Sequence, residues 1–287
     1  MTGWLIYTKK DAAYNRQFIK MHFEEAEKKE ISLHFFYFED FTYGVKYNQF
    51  FLENVKEQIY ITEQDRKDVP DFVICRARVP MFSKHLEYLN ILVFNNAFVS
   101  EICNNKAKTY QHLAQYHIPM IDTTFYYSES LNDILEQKKS DKEVIKAVDG
   151  HGGSQVFLTA QQPVEELAHS DFVIQPLTGK KNQDVRVYVI GKKIICAICR
   201  TAADGFKSNF SLGGKVELYQ LSERQKKTVQ KIIDCFDFGM VGIDFLIGDD
   251  DEFIFNEIED VVGARMLYQC TDINLLALYF EHICSVV

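Results

Sequence analysis

Apolar residues in the first hundred positions fall into short runs separated by stretches of helical period. Trp4–Tyr7, Ile31–Phe38, Phe72–Cys75 and Ile91–Phe94 have the length of buried strands. Between the first two, Phe18, Met21, His22 and Ala26 recur at the spacing of one helix face. Alternation of this kind predicts βαβ units on a parallel sheet. No Gly-x-Gly-x-x-Gly follows the first run, so no dinucleotide fingerprint is present there.

The character of the chain changes at Asn104-Asn105. Asn105 is placed to cap a helix whose apolar face is Ala107, Tyr110, Leu113 and Ala114, and Pro119 stops it. Strand Glu143–Val148 runs into the glycine-rich turn Asp149–Ser154, followed by strand Gln155–Leu158. Strand Asp171–Gln175 leads to a polar connection, Thr178–Gln183. Two hairpins follow: Asp184–Ile190 with Lys193–Cys199 across Gly191-Lys192, and Val241–Ile247 with Phe253–Glu259 across an acidic loop. Between them Ser222 and Gln225 have capping-box spacing, and Gly239 lies beyond that helix. A last helix, with Asp272 as its expected cap, carries Leu275, Leu276, Tyr279 and Ile283 on one face.

Candidate chemistry concentrates on the second hairpin. With Asp249–Glu252 as the loop, Gly248 faces Phe253 and Asp244 faces Glu257, and Glu257 and Glu259 share that face. Three carboxylates beside Phe245, Leu246 and Ile254 repel one another and call for a counter-ion, for which a hard divalent cation with oxygen ligands is suited. The alternative is a solvated acidic face. Relief of repulsion predicts that Asp244→Ala or Glu257→Ala abolishes binding of that cation, and the chemistry that depends on it, while leaving the fold intact. Lys146, just before the glycine turn, is the second element: Gly152 and Gly153 can bring backbone N–H groups to a phosphate and the lysine can meet its charge. In the first hairpin, plain alternation puts Arg186 and Arg200 on opposite faces, and only a bulge reunites them.

Bulk properties exclude more than they assign. The net charge is −9 with 47% hydrophobic and 25% charged residues, which fits a globular chain with a core and, lacking a basic stripe, disfavours nucleic acid as a partner. No apolar run reaches the ~18 residues of a membrane span, and the N-terminus lacks the charge-first order of a secretory signal, so a cytoplasmic protein with no membrane partner is expected. Seven cysteines, mostly within apolar runs, read as buried free thiols; Cys196 and Cys199 are three apart on a strand and so point to opposite faces.

The order of these elements resembles the ATP-grasp superfamily, and most closely its RimK-like branch, over roughly Asn95 to Ile273. Asn105-Lys106 with His117-Ile118-Pro119 is similar to the family's opening helix, with asparagine and histidine at two usual Asp and Gly positions. Glu143–Lys146 and Gly150–Gly153 are similar to its second lysine and flexible loop. Val173–Leu177 resembles the strand joining the two halves of the grasp, with Pro176 where an acidic residue is usual. Asp184-Val185-Arg186, Phe206–Asn209 with Gly213-Gly214, Gly242–Asp244 and Asn256–Glu259 complete the series, with Glu259 where asparagine is common.

The resemblance implies an α/β and α+β architecture: a pre-ATP-grasp domain at 1–102, a small lobe at 103–177 and a lobe with the metal site at 178–287. It implies an ATP-dependent ligase joining a carboxylate, on a small-molecule or peptide substrate, to an amine or thiol through an acyl phosphate. Lys106, Lys146, Gly152, Gly153, Lys207 and Asn209 would meet phosphates, Gln175 and Leu177 the adenine, and Asp184 the ribose surroundings. Asp244, Glu257 and Glu259 would hold Mg²⁺, or Mn²⁺ in its place. Arg186, with Lys146 and Arg200, would stabilise developing charge. Arg76, Arg78 and Arg265 are candidates for a substrate carboxylate, since strand ends line ligand crevices in such sheets. A homo-oligomer is compatible with the resemblance. A kinase on the same fold and a nucleotide-sensing regulator without turnover are the alternative readings.

Overall fold

The computed structural model describes residues 1–153, 155–180, 182–202 and 215–287. In chain order its elements are β1 Thr2–Tyr7, α1 Lys9–Tyr14, α2 Arg16–Lys28, β2 Ser32–Tyr37, β3 Thr42–Lys46, β4 Gln49–Asn54, β5 Ile59–Thr62, β6 Phe72–Cys75, α3 Pro80–Tyr88, β7 Leu92–Phe94, α4 Ala97–Cys103, α5 Lys106–Ala114, β8 Thr124–Tyr126, α6 Leu131–Gln137, β9 Glu143–Ala147, β10 Val156–Leu158, α7 Val164–Leu167, β11 Phe172–Pro176, β12 Gln183–Ile190, β13 Lys193–Thr201, β14 Lys215–Tyr219, α8 Glu223–Asp234, β15 Met240–Ile247, β16 Phe253–Glu259, α9 Arg265–Cys270 and α10 Leu275–Val286. They gather into two compact units: Met1–Glu101 with Asp237–Met240 and Asn274–Val287, and Ile102–Phe236 with Val241–Ile273.

The first unit contains the parallel sheet that the apolar runs predict, in the order β2-β1-β6-β7. β1 lies between two neighbours, and its residues from Gly3 to Tyr7 are all buried. Trp4 and Ile6 pack with Phe82 and Leu86 of α3. One element departs from the βαβ expectation. Residues 42–62 form a three-stranded antiparallel meander, β3-β4-β5, between β2 and β6. Its first turn places Tyr47 and Asn48 at φ 53° and 61°, the pair of positive angles that a tight hairpin turn of the right twist requires. The last helix also differs: its cap is Asn274, whose Oδ1 accepts from Ala277 N at 3.0 Å, in place of Asp272. Asn274 Nδ2 donates to Glu25 of α2 at 2.9 Å, so α10 belongs to the first unit although its sequence follows the 178–273 segment.

The second unit holds two sheets, β10-β9-β11-β8 and β14-β13-β12-β15-β16. The four-stranded sheet is two-faced. Ile145, Ala147, Phe172 and Ile174 enter a core with Leu131, Leu135 and Leu167. Alternation therefore puts Val144, Lys146, Val173 and Gln175 on the other face, in agreement with the pairings Val173–Lys146 and Gln175–Val144. The caps at Asn105 and at Ser222 with Gln225 form as the sequence predicts.

Both predicted hairpins form, each with a bulge that counting from the turn does not contain. In β12–β13, Ile190 pairs with Lys193, but Tyr188 pairs with Cys196 and Val189 with Ile194, so Ile195 is extra. In β15–β16, Ile247 rather than Gly248 faces Phe253, because Gly248 N bonds Glu252 O within the turn. The register is regained at Asn256, the extra residue, so that Asp244 does face Glu257. Among the described residues no helix is long and apolar enough to cross a membrane.

Candidate active site

A cavity opens in the second unit. Its lining combines the apolar residues Ile121, Val144, Val156 and Leu246 with Lys106, Lys146, Asn256 and Glu257. Of the residues singled out in the sequence, Lys106, Lys146, Gly153, Gln175, Leu177, Asp184, Arg200 and Glu257 line it. Gly152 is adjacent at φ 64°, a conformation suited to glycine. Lys207 and Asn209 lie outside the described residues.

The bulges decide which side chains meet. With Ile195 extra, Asp184 pairs directly with Arg200, and Arg186, two residues along, shares their face. Arg200 Nε donates to Asp184 Oδ1 at 2.7 Å and its Nη2 to Asp244 Oδ2 at 2.7 Å. Arg186 grips the same Asp244 in a two-pronged contact, Nε to Oδ1 at 2.7 Å and Nη2 to Oδ2 at 2.6 Å. All four side chains are buried. The counter-ion that the carboxylate face requires is thus, for Asp244, a pair of guanidiniums. Burial alone would push the Asp244 carboxyl up; the two arginines outweigh it and hold it below the ordinary range. Asp184 goes the other way: burial raises it, ahead of the lowering by Arg200. This corrects the expectation that Asp244→Ala spares the fold, since alanine would strip the buried Arg186 of its two-pronged partner and leave Arg200 with Asp184 alone.

On β16 the carboxylates remain more open. The Glu257 side chain is 32% exposed and lies 3.8 Å from Lys106 Nζ. Glu259 is 24% exposed and 3.4 Å from Arg186. Among the described residues no three Asp, Glu, His or Cys side chains gather as a metal-binding group. The bulge also sends the consecutive residues Asn256 and Glu257 to the same cavity, where Asn256 Oδ1 accepts from Lys146 Nζ at 3.0 Å. Asn256 was invisible as a site residue because plain alternation hides it behind Glu257; the only signal was its place in Asn-Glu-Ile-Glu. Burial pushes the Lys146 ammonium down to about 8, with Glu257 opposing and Lys106 reinforcing the shift. Lys106 Nζ donates to the carbonyl of Gly150 at 2.5 Å, tying the glycine turn to α5.

The remaining candidates are elsewhere. Arg76 and Arg78 follow β6 in the first unit. Arg76 lies over the rings of Tyr7 and Phe18, at 5.5 and 5.2 Å, and Arg78 pairs with Asp11 at 3.2 Å. Arg265 opens α9. Cys196 and Cys199 are both free thiols.

Lys106 at the start of α5, Lys146 on β9 and the glycine turn after it, together with the carboxylates and buried arginines of the five-stranded sheet, are arranged as in an ATP-grasp fold. Residues 103–283 match the RimK-like ATP-grasp domain, and the chain belongs to that family. It is 28% identical over 280 residues to the uncharacterized protein MG011 homolog of Mycoplasma pneumoniae, covering 94% of this chain and 88% of that protein. To human N-acetylaspartylglutamate synthase A it is 27% identical over 237 residues, which is 76% of this chain and 61% of the human enzyme. The fold is also that of the ATP-grasp ligase PsnB in complex with a phosphomimetic variant of its minimal precursor, Mg and ADP. The TM-score is 0.66 at 15% identity, over 99% of this chain and 97% of the other.

Proposed function

We propose that this protein is an ATP-dependent ligase that joins the carboxylate of an amino acid or peptide-like substrate to an amine, or alternatively a thiol. The observation that carries the reading is the cavity in the second unit, whose lining combines apolar side chains with Lys106, Lys146 and Arg200. An adenine fits the apolar part of the lining, and the two ammonium groups suit a polyphosphate. ATP would supply the phosphoryl group that activates the carboxylate as an acyl phosphate. Within the protein the work is positional. Lys106 and Lys146 bind the anionic tail. Arg186 and Arg200 present fixed positive charge, because Asp184 and Asp244 leave their guanidiniums no rotational freedom.

Mg²⁺, or Mn²⁺ in its place, fits the donor chemistry of β15–β16. Glu257 and Glu259 are hard oxygen donors with open faces, and Asp244 stands behind them, shared with the arginines. Lys207 and Asn209 complete the phosphate contacts in this reading. A cytoplasmic setting is part of it, supported by the seven free thiols.

The test is release of ADP and phosphate from Mg-ATP when pools of carboxylic acids and amines are offered separately and together. Release of both products only with acid and amine together is the expected result. ADP with a stable phosphorylated product would make the protein a kinase, and binding without turnover would make it a sensor.

A further inference from the structure

The parallel sheet of the first unit has the order β2-β1-β6-β7, so the chain leaves β1 towards one edge and β6 towards the other. The connections part between β1 and β6, and in open parallel sheets ligands settle beyond the carboxyl ends of the strands at such a point. Tyr7 ends β1 and Arg76 follows β6. The Arg76 N–H donates to the Ile6 carbonyl at 2.8 Å, which carries the β1–β6 register one step on. The two side chains meet there, with the guanidinium 5.5 Å from the centre of the Tyr7 ring.

The Tyr7 hydroxyl is fully buried, and no protein group takes its proton. Arg76, which lies against it, has donors only, so the phenol oxygen can accept from the arginine but cannot give to it. Burial raises the phenol above its ordinary range, ahead of the lowering by Arg76, so the proton stays on at neutral pH. The Phe18 ring of α2 lies 5.2 Å from the same guanidinium. His22, one helical turn on, is neutral, because burial pushes its ring down to about 3. The charges that act on Tyr7 are those of Arg76, Arg78 and Asp11, which leave one net positive charge. Arg78 and Asp11 pair at 3.2 Å and are both partly exposed, so the site opens to solvent on their side. Arg78 is held at φ 52°, a left-handed angle that few side chains adopt.

We propose that this strand-end site of the first unit binds the carboxylate of a small molecule. One carboxylate oxygen accepts the Tyr7 proton and the other accepts from the Arg76 guanidinium, so both donors are spent on a group that can only accept. Charge selects carboxylate over phosphate. One net positive charge balances a single negative charge, whereas a phosphate group carries about −1.5 to −2 at neutral pH. Strand-end position alone singles out Arg76 and Arg78; the unspent hydroxyl of Tyr7 is what makes Arg76 half of a fork. Nothing in the proposal depends on the nucleotide reading of the second unit.

The experiment is an NMR titration of the full chain at constant ionic strength, read at the Tyr7 ring and the Arg76 Nε–H. The probes are propionate, its neutral isostere propionamide, and inorganic phosphate. Propionate is expected to shift both signals saturably, propionamide to shift neither at the same concentration, and phosphate to bind less tightly than propionate. Tyr7→Phe keeps the ring beside Arg76 and should weaken propionate by at least ~10-fold, the worth of a hydrogen bond to a charged group. Its unfolding midpoint should not fall, because phenylalanine leaves no buried hydroxyl without an acceptor. Absence of saturable propionate shifts, an equal response to propionamide, tighter binding of phosphate, or unchanged affinity in Tyr7→Phe each overturns the inference. A lower midpoint in Tyr7→Phe does so too, since it would show that the hydroxyl serves the protein's own packing.

Discussion

Hairpin β12–β13 and hairpin β15–β16 sit in the same sheet, and each contains one extra residue, Ile195 in the first and Asn256 in the second. In the first, the bulge turns Arg200 onto the face of Asp184 and Arg186, and the resulting charges are buried and compensate one another. In the second, it delivers Asn256 and Glu257 together to the cavity and leaves Glu257 and Glu259 partly exposed. The same local device therefore builds a closed electrostatic scaffold in one place and an open ligand set in the other. Asp244 belongs to the open hairpin by sequence and to the closed scaffold by contact.

That contrast can be broken most severely by Asp244→Ala, which should destabilise by ~3–5 kcal/mol because Arg186 loses both prongs of its contact and Arg200 keeps Asp184 alone. The loss is read as a fall in the unfolding midpoint or in soluble yield. Glu257→Ala sharpens the comparison: its unfolding midpoint should stay near wild type, while Mg²⁺-dependent nucleotide binding falls by at least ~100-fold, about 2.7 kcal/mol. Equal destabilisation by the two substitutions would erase the distinction between scaffold and ligand set.

A pH series probes the junction between the sheets. The Lys146 amine titrates near 8 in the folded protein, below its ordinary 10.5. The unfolded chain holds that proton more tightly, so this group's contribution to stability improves as pH rises from about 8 to 10.5. Phosphate affinity should move oppositely, weakening above pH 8 as the charge is lost. In Lys146→Arg, nucleotide affinity should be flat across that range, since a guanidinium does not titrate there. The smallest effect is expected for Glu259→Asn. It removes a 3.4 Å contact with an Arg186 already held by Asp244, and should change stability by less than ~1 kcal/mol in thermal unfolding.

Much of this was legible before any coordinates. The parallel strands of the first unit were visible as apolar runs, Gly191-Lys192 announced its hairpin, and the cavity residues from Lys106 to Glu257 stood in recognisable motifs. What escaped has a common cause. Periodicity assumes that every residue advances the register, so Ile195 and Asn256 could not be seen as extra, and Arg200 was assigned to the wrong face unless a bulge intervened. The meander at 42–62 was hidden because its turn uses Tyr47-Asn48 without a glycine. The partners of Asp244 were out of reach because repulsion among carboxylates is visible in one hairpin, whereas the arginines that relieve it come from another.

The return of α10 to the first unit bears on how the chain is made. Its last stretch, from Asn274, joins a unit whose other parts are Met1–Glu101 and Asp237–Met240. Domains fold largely as they emerge from the ribosome, but here the second unit has all of its residues by Ile273 while the first still waits for its closing helix. The earlier-synthesised unit is thus the later one to be completed, and until Asn274 is made Glu25 of α2 lacks the amide that it meets in the folded protein.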